Sequence, residues 1–486
     1  MNTNQPEKAP LTPRRVVIVG GGISGLATAY YLKKNAQAAG TPVDIHLVEA
    51  SDRLGGVIHT VREGGFIVEG GPDCILSFKP AGVGLWRELG LEDEIVGTSR
   101  ENQGSFVYSR GALHPLPEGL TLMIPSKLGP LFRTRLVSWP GKVRAGMDLL
   151  WSRRTNGDDV SVAEFISAHL GKEVFERIVE PLFAGIFAGD ARQLSLPATY
   201  PQLLDLEREH GSLLRGLLVM RQQREKQRGN GRGRAPRWTP FVTLRSGLAR
   251  MVEVLEAHLD GVHVHLNSRV EGIARLPDGR GWRIELDRDA SLEGDAVVLA
   301  TPAHAAARMV QPVDRELADA LAGIPYASTV TVSLAFRRDE VRHPLNGYGF
   351  VVPRVEGRRL LACTWTSSKF PHRAPAGYAL FRCFLGRAGD DDIVHLSDEQ
   401  IVATVLDELR TIMGLDAVPV HVWVFRWQRA LPQYTVGHLR RLGIVEEHLR
   451  ALPGLYIVGN AYKGVGVPDC IVSGKRAAEH ILSTDE

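Results

Sequence analysis

Gly20, Gly22 and Gly25 stand in the spacing Gly-x-Gly-x-x-Gly. That spacing supplies a tight turn, a close backbone approach to a pyrophosphate, and close packing of a helix on a strand. Free N–H groups and the positive end of the helix dipole stabilise phosphate charge at such a helix start. Glu49 lies at about the distance expected of the carboxylate that binds ribose hydroxyls. Near the other end of the chain, the run from Gly459 to Val467 is a second glycine-rich loop, and Pro468 stands where a helix opens. These residue types point to a dinucleotide cradled by backbone N–H groups, with two helix N-termini turned toward it.

Each of these residues needs an element to aim it. Val16 to Val19 are a β-branched run suited to a strand buried on both faces of a parallel sheet, and a helix follows through Leu32. Val43 to Val48, Ala296 to Ala300 and Leu455 to Val458 read as further buried strands, and His263 to Leu266 as a short strand. Val83, Leu85, Trp86 and Leu89 mark a helix after a loop that begins at Pro72, Leu248 to Leu259 is amphipathic, and Pro468 opens a helix through Leu482. Between Ser328 and Phe384, runs such as VTVSLAF and YALFRCFLG predict an antiparallel sheet in a second domain. From Asn102 to Leu218 the pattern is mostly helical, with proline-rich joints. Arg221 to Arg237 carries seven basic residues and no apolar face, and reads as a flexible linker. A nucleic-acid tail would have similar composition, but no aromatic platform or helix-turn-helix pattern stands beside it.

Composition bounds the rest. At 486 residues the chain has length for two or three domains. A formal net charge of +3 suits an acidic ligand without implying nucleic acid. The polar, proline-containing start at 1–13 predicts a disordered tail with no signal-peptide pattern. No apolar stretch of ~20 residues is present to span a bilayer. Cys74, Cys363, Cys383 and Cys470 are far apart in sequence, as expected of reduced thiols in a cytosolic protein, and no histidine spacing suggests a metal site. Lys127 to Arg154 interleaves seven Lys/Arg with apolar residues, including Phe132, Trp139 and Trp151. It reads as a solvated basic face, a surface for anionic lipid, or a rim around a carboxylate-bearing substrate.

Glu49, Arg53, Gly55 and Gly56 form Glu-x-x-x-Arg-x-Gly-Gly, which resembles the FAD-binding segment of the flavin-containing amine oxidase superfamily. Over nearly its whole length the chain resembles the protoporphyrinogen/coproporphyrinogen oxidase family, FAD enzymes of late haem synthesis. The resemblance rests on EGGPDCILSFK at 69–79, VYSRGALHPLP at 107–117, GIFAGDARQLS at 185–195, FRWQRALPQYTVGH at 425–438 and GNAYKGVGVPDCI at 459–471. It implies FAD contacts at Gly20, Gly21, Gly22, Ile23, Ser24, Gly25, Glu49, Ala50, Arg53, Val57, Gly71, Pro72, Val270, and the loop of Asn460, Val465, Gly466 and Val467. It places Lys79 near a substrate propionate. Two departures stand out: His210-Gly211-Ser212-Leu213 lacks an arginine common in the family, and Ile186-Phe187 replaces Ile-Tyr.

The expected fold class is α/β, with a discontinuous Rossmann-like FAD-binding domain (14–100, 238–302, 441–486), a mixed or antiparallel sheet domain for substrate (303–440) and an inserted, mostly helical domain (101–220), leaving 221–237 as linker. The resemblance implies oxygen-dependent oxidation of a porphyrinogen to a porphyrin in three two-electron steps, with peroxide released. Hydride transfer from an activated methylene to flavin needs positioning more than acid/base help, so no catalytic side chain is nominated. Coproporphyrinogen III is the favoured substrate and protoporphyrinogen IX the alternative, both ahead of a flavin amine oxidase or a carotenoid desaturase. A flavin-free adaptor would be colourless. A cytoplasmic protein is expected, with peripheral contact to the inner face of a membrane left open, as is the oligomeric state.

Overall fold

The computed structural model describes residues 13–121, 124–125, 128–150, 159–229 and 237–483. The strand Arg14–Val19 pairs in parallel with Val43–Val48 on one side and Ala296–Leu299 on the other. Val262–His265 and Leu455–Ile457 add the two edges of this five-stranded parallel sheet. Both faces are covered, as a parallel sheet requires. Ile18, Ile45, Leu47 and Val298 pack on the helices Ile23–Ala39, Ala249–Ala257 and Val467–Ser483. Val17, Val19, Val297 and Leu299 pack on a three-stranded antiparallel meander between Val270 and Gly294 and on the helix Ala303–Val310.

A seven-stranded mixed sheet forms the second layer, in the order His421–Pro432, Tyr326–Arg337, Tyr378–Leu385, Leu360–Trp365, Gly349–Val351, Phe106–Ser109, Ala112–Pro115. Its pairs are antiparallel except that between Gly349–Val351 and Phe106–Ser109. Val330, Val332, Leu334 and Phe336 alternate along one strand and bury against the helix Asp398–Met413. Helices between Leu128 and Gly229 gather around a separate core that includes Phe165, Phe183 and Leu203. The fold is thus α/β, with the parallel sheet assembled from separate stretches of chain.

Two sequence expectations are corrected. The helical stretch expected over 102–218 begins with a hairpin, in which Arg110 and Gly111, both at positive φ, turn Phe106–Ser109 back onto Ala112–Pro115. The flanking prolines masked a strand pattern only four residues long. The linker expected at 221–237 is helical as far as Gly229, continuing the helix that starts at Leu213. Buried Leu213, Leu214 and Leu217 anchor its first turns, and Arg, Gln, Glu and Lys are good helix formers that extend a helix already nucleated. Residues 230–236 and the expected tail at 1–12 lie outside the described residues, as do Lys127 and 151–154 of the basic window. The rest of that window exposes Trp139, Val143 and Leu150 and buries Leu131 and Leu136. Among the described residues, no helix is long and apolar enough to cross a membrane.

Candidate active site

A cavity of about 970 Å³ opens between the carboxyl ends of the parallel strands and the seven-stranded sheet, where open α/β sheets place their ligands. The glycine turn forms one wall. Gly20 has φ +108°, and a Cβ there would lie 2.7 Å from the Ala300 carbonyl oxygen. Above Gly22 a Cβ would meet no protein atom within 4 Å, so the wall is open to a ligand at that point. Gly22 is also the N-cap of Ile23–Ala39 and no side chain closes the cap. The first N–H groups of that helix therefore lack intrahelical acceptors, and Ile23 and Ser24 line the cavity. These features fit a pyrophosphate.

Three residues expected as contacts shape this wall from behind instead of lining it. Gly21 N–H donates to Glu49 Oε2 at 2.6 Å. At Gly25 a Cβ would lie 1.9 Å from the Gly20 carbonyl oxygen, so only glycine lets the helix start this close to the strand end. Arg53 donates to the carbonyls of Leu54 and Ile58, each at 3.2 Å, and of Gly56 at 2.7 Å, bracing the Gly55–Gly56 turn. Glu49 itself is on the wall, oriented also by the Ser51 N–H and hydroxyl, at 2.8 and 2.7 Å from Oε1. Ala50, Val57, Gly71, Pro72, Val270, Asn460, Val465, Gly466 and Val467 complete the set of expected residues that reach the wall.

The second sheet contributes residues that no sequence motif assigned. The Gly70 carbonyl accepts from Thr331 Oγ1 at 2.9 Å, Trp427 Nε1 at 2.9 Å and Arg382 Nη2 at 3.1 Å, and Arg382 also donates to the Gly71 carbonyl. Three strands thereby fix the segment that presents Gly71 and Pro72. Behind it Lys369 Nζ sits 2.8 Å from Asp73 Oδ2. Burial pushes the Asp73 carboxyl up, but Lys369 and Arg382 outweigh it and hold it well below the usual carboxylate range. Burial and then the Asp73 charge push the neighbouring Cys74 thiol up to about 12, which favours its protonated form.

The C-terminal loop is pinned by Tyr434. Its buried hydroxyl donates to the Asn460 carbonyl at 2.6 Å and accepts from Gly464 N–H at 2.9 Å. His438 stacks on the Tyr434 ring at 4.2 Å, and burial pulls its imidazole down to about 4, so it is neutral there. Lys79 lines the cavity, but its Nζ is bound to both oxygens of Asp469, at 2.8 and 2.6 Å. Tyr434 and Trp427 both lie in the 425–438 stretch singled out in the sequence, which carried the family signal without showing what its side chains touch.

A parallel sheet with a glycine turn at its carboxyl end, joined to a second sheet across one cavity, is an arrangement that holds a dinucleotide beside a substrate space. The chain belongs to the flavin containing amine oxidoreductase family, whose profile matches residues 23–482, and its cofactor is FAD. It is 38% identical to coproporphyrinogen III oxidase of Bacillus subtilis, over 97% of this chain and 98% of that one. It is 36% identical to human protoporphyrinogen oxidase, over 97% and 99%. A crystal structure from Exiguobacterium sp. 255-15, provisionally assigned as a protoporphyrinogen oxidase, superposes with a TM-score of 0.85 at 34% identity, covering 97% of this chain and 99% of that one.

Proposed function

We propose that this flavoenzyme oxidises coproporphyrinogen III to coproporphyrin III, with molecular oxygen as acceptor. The full-length likeness to the Bacillus enzyme carries this reading. The cavity supports it, because beyond the glycine turn its lining is largely apolar, with Ala184, Leu361, Phe384 and Leu431 packed together on it and Ile186 beside them.

Bound at the glycine turn, FAD supplies a hydride acceptor. Gly22, Ile23 and Ser24 would hold the pyrophosphate on backbone N–H groups, with Gly20, whose own N–H is donated to the Val48 carbonyl at 2.8 Å, shaping the turn, and Glu49 would take the ribose hydroxyls. Val270 meets the adenosine part through its backbone. Asn460, Val465, Gly466 and Val467 would bring a second helix start beside the flavin, where its positive end would favour negative charge. The Gly70–Pro72 segment, fixed by Thr331, Trp427 and Arg382, sets the distance between ring and substrate.

A porphyrinogen methylene between two pyrroles gives up a hydride and a pyrrole nitrogen releases a proton. Three such rounds remove six hydrogens, and three molecules of oxygen leave as three of hydrogen peroxide. The chemistry asks for orientation and exclusion of water. The wall supports this, since its carboxylates are Glu49 and Glu271, both beside strand ends of the nucleotide-binding half. Lys79, shared with Asp469, sets one propionate at the cavity mouth.

The domain division that goes with this reading places nucleotide binding at 14–100, 238–302 and 441–486 and substrate binding on the sheet of 303–440, to which the hairpin at 106–115 is added. The enzyme works in the cytoplasm, with exposed Trp139, Val143 and Leu150 as a point of peripheral membrane contact, although Lys142 is buried and Arg144 is held by the Ser167, Ala168 and His169 carbonyls. The test is porphyrin fluorescence from coproporphyrinogen III and protoporphyrinogen IX offered side by side in air, corrected for autoxidation. Faster turnover of coproporphyrinogen is expected. A preference for protoporphyrinogen reassigns the substrate, and activity on neither by the FAD-bound protein overturns the reading.

A further inference from the structure

Strand pairing brings together two histidines and an aspartate that the sequence keeps apart. Val43–Val48 and the edge strand Val262–His265 run parallel with His263 opposite His46. Period-two alternation then turns Asp44 and His46 to the same face as His263 and His265. Asp44 Oδ1 lies 3.2 Å from His46 Nε2 and 3.5 Å from His263 Nε2, and the three ligand atoms all fall within 4.8 Å of one another. The expectation of no metal site rested on local spacing, whereas His46 and His265 are 219 residues apart.

The surroundings prepare these atoms for a cation. His46 Nδ1 is engaged by His265 Nε2 at 3.1 Å, which leaves Nε2 aimed at Asp44. That Nε2 is buried and has no hydrogen-bond partner, because its approach to the carboxylate is too poorly aligned for one. If Nδ1 carries the proton, two lone pairs face each other at 3.2 Å with nothing between them. A ligating histidine whose other ring nitrogen is held by a neighbour is the usual arrangement at metal sites. Arg15 Nε binds Asp44 Oδ2 at 2.7 Å and so fixes the carboxylate while leaving Oδ1 to the histidines. The His263 ring stacks on that of His46 at 4.6 Å, and its side chain, 62% exposed, leaves solvent access for remaining ligands.

We propose that Asp44, His46 and His263 form a binding site for one divalent first-row transition-metal ion, with His265 orienting His46. Two imidazoles and one carboxylate are a donor set that such ions accept and that Mg²⁺ or Ca²⁺ does not favour. The ion staples the edge strand to its neighbour close to Glu49, whose N–H donates to the His265 carbonyl at 2.8 Å.

The test is calorimetric titration of Zn²⁺ into untagged, FAD-loaded enzyme previously stripped of metal. One Zn²⁺ per chain is expected, with a rise in thermal midpoint. His263→Ala, which changes a mostly exposed ring, is expected to weaken binding at least tenfold and to abolish that rise while flavin absorbance stays unchanged. His265→Ala is expected to weaken binding roughly 10–100-fold through loss of orientation. Absence of saturable Zn²⁺ binding in the wild type, or an affinity unchanged by His263→Ala, overturns the proposal.

Discussion

Single atoms decide the cofactor site. Because a Cβ on Gly25 would lie 1.9 Å from the Gly20 carbonyl oxygen, Gly25→Ala forces strand and helix apart, at a cost of about 1–3 kcal/mol for overpacking. The expected outcome is protein purified with little flavin, read from the ratio of flavin to protein absorbance. Tyr434→Phe keeps the ring on His438 but removes the hydroxyl that holds both the Asn460 carbonyl and Gly464 N–H. Leaving those groups without that partner costs about 1–3 kcal/mol. Weaker FAD retention at unchanged far-ultraviolet circular dichroism is expected, and equal FAD affinity in the two proteins would refute that role. For Lys79→Ala the expected result is a raised KM for coproporphyrinogen with flavin content unchanged; an unaltered KM removes Lys79 from the substrate site.

At the scale of elements, the helical region is tied together by a buried polar bridge. His169, on the helix Val162–Leu170, lies between Asp148 Oδ1 at 2.5 Å and Glu207 Oε1 at 3.0 Å. Asp148 also accepts from the Ser212 hydroxyl and Leu214 N–H at the start of the helix Leu213–Gly229, each at 2.8 Å. Burial pulls the His169 imidazole down, yet hydrogen bonds and charges from Asp148 and Glu207 prevail and hold it above its ordinary value of 6.5. A raised folded-state value means the stabilisation is full below that ordinary value and is lost as pH rises through the folded one. Asp148, held below its ordinary 3.8 despite burial, adds stability above that value and loses it on further acidification. Removing the histidine leaves two buried carboxylates facing each other, a loss of about 3–5 kcal/mol. Thermal unfolding should show His169→Gln well below wild type near neutrality, with the gap narrowing as pH rises. A gap independent of pH would mean that the imidazole is neutral in the fold.

Across the whole molecule, the cavity is closed only by two sheets together. The glycine turn comes from the parallel sheet, while the other sheet holds the Gly70–Pro72 segment through Thr331, Arg382 and Trp427. FAD held as proposed would bridge the two layers, and binding to the folded state only would add about 2.7 kcal/mol at a hundredfold excess over Kd. Stripping FAD is expected to lower the thermal midpoint of both layers together in scanning calorimetry. A transition that shifts in only one of two resolved steps would show that the sheets unfold independently.

Local chemistry was legible in the chain itself. Gly20, Gly22, Gly25 and Glu49 announce nucleotide binding because a tight turn, a helix start and a strand-end carboxylate are each set by neighbouring residues. The strand at Val16–Val19 was equally plain, since its β-branched run suits a strand buried on both faces of a parallel sheet, and Val43–Val48 followed it at the spacing of a second strand. The hairpin at Phe106–Pro115 and the helical extension to Gly229 were misread, because both take their conformation from what they join: a sheet edge in one case, an established helix in the other. The grip of Arg382 and Trp427 on Gly70, the pinning of the C-terminal loop by Tyr434, the sharing of Lys79 with Asp469 and the meeting of His46 with His263 were decided only by the tertiary structure. The partners in each arise from segments far apart in the chain, so no spacing records them until strand order and register bring their atoms within reach.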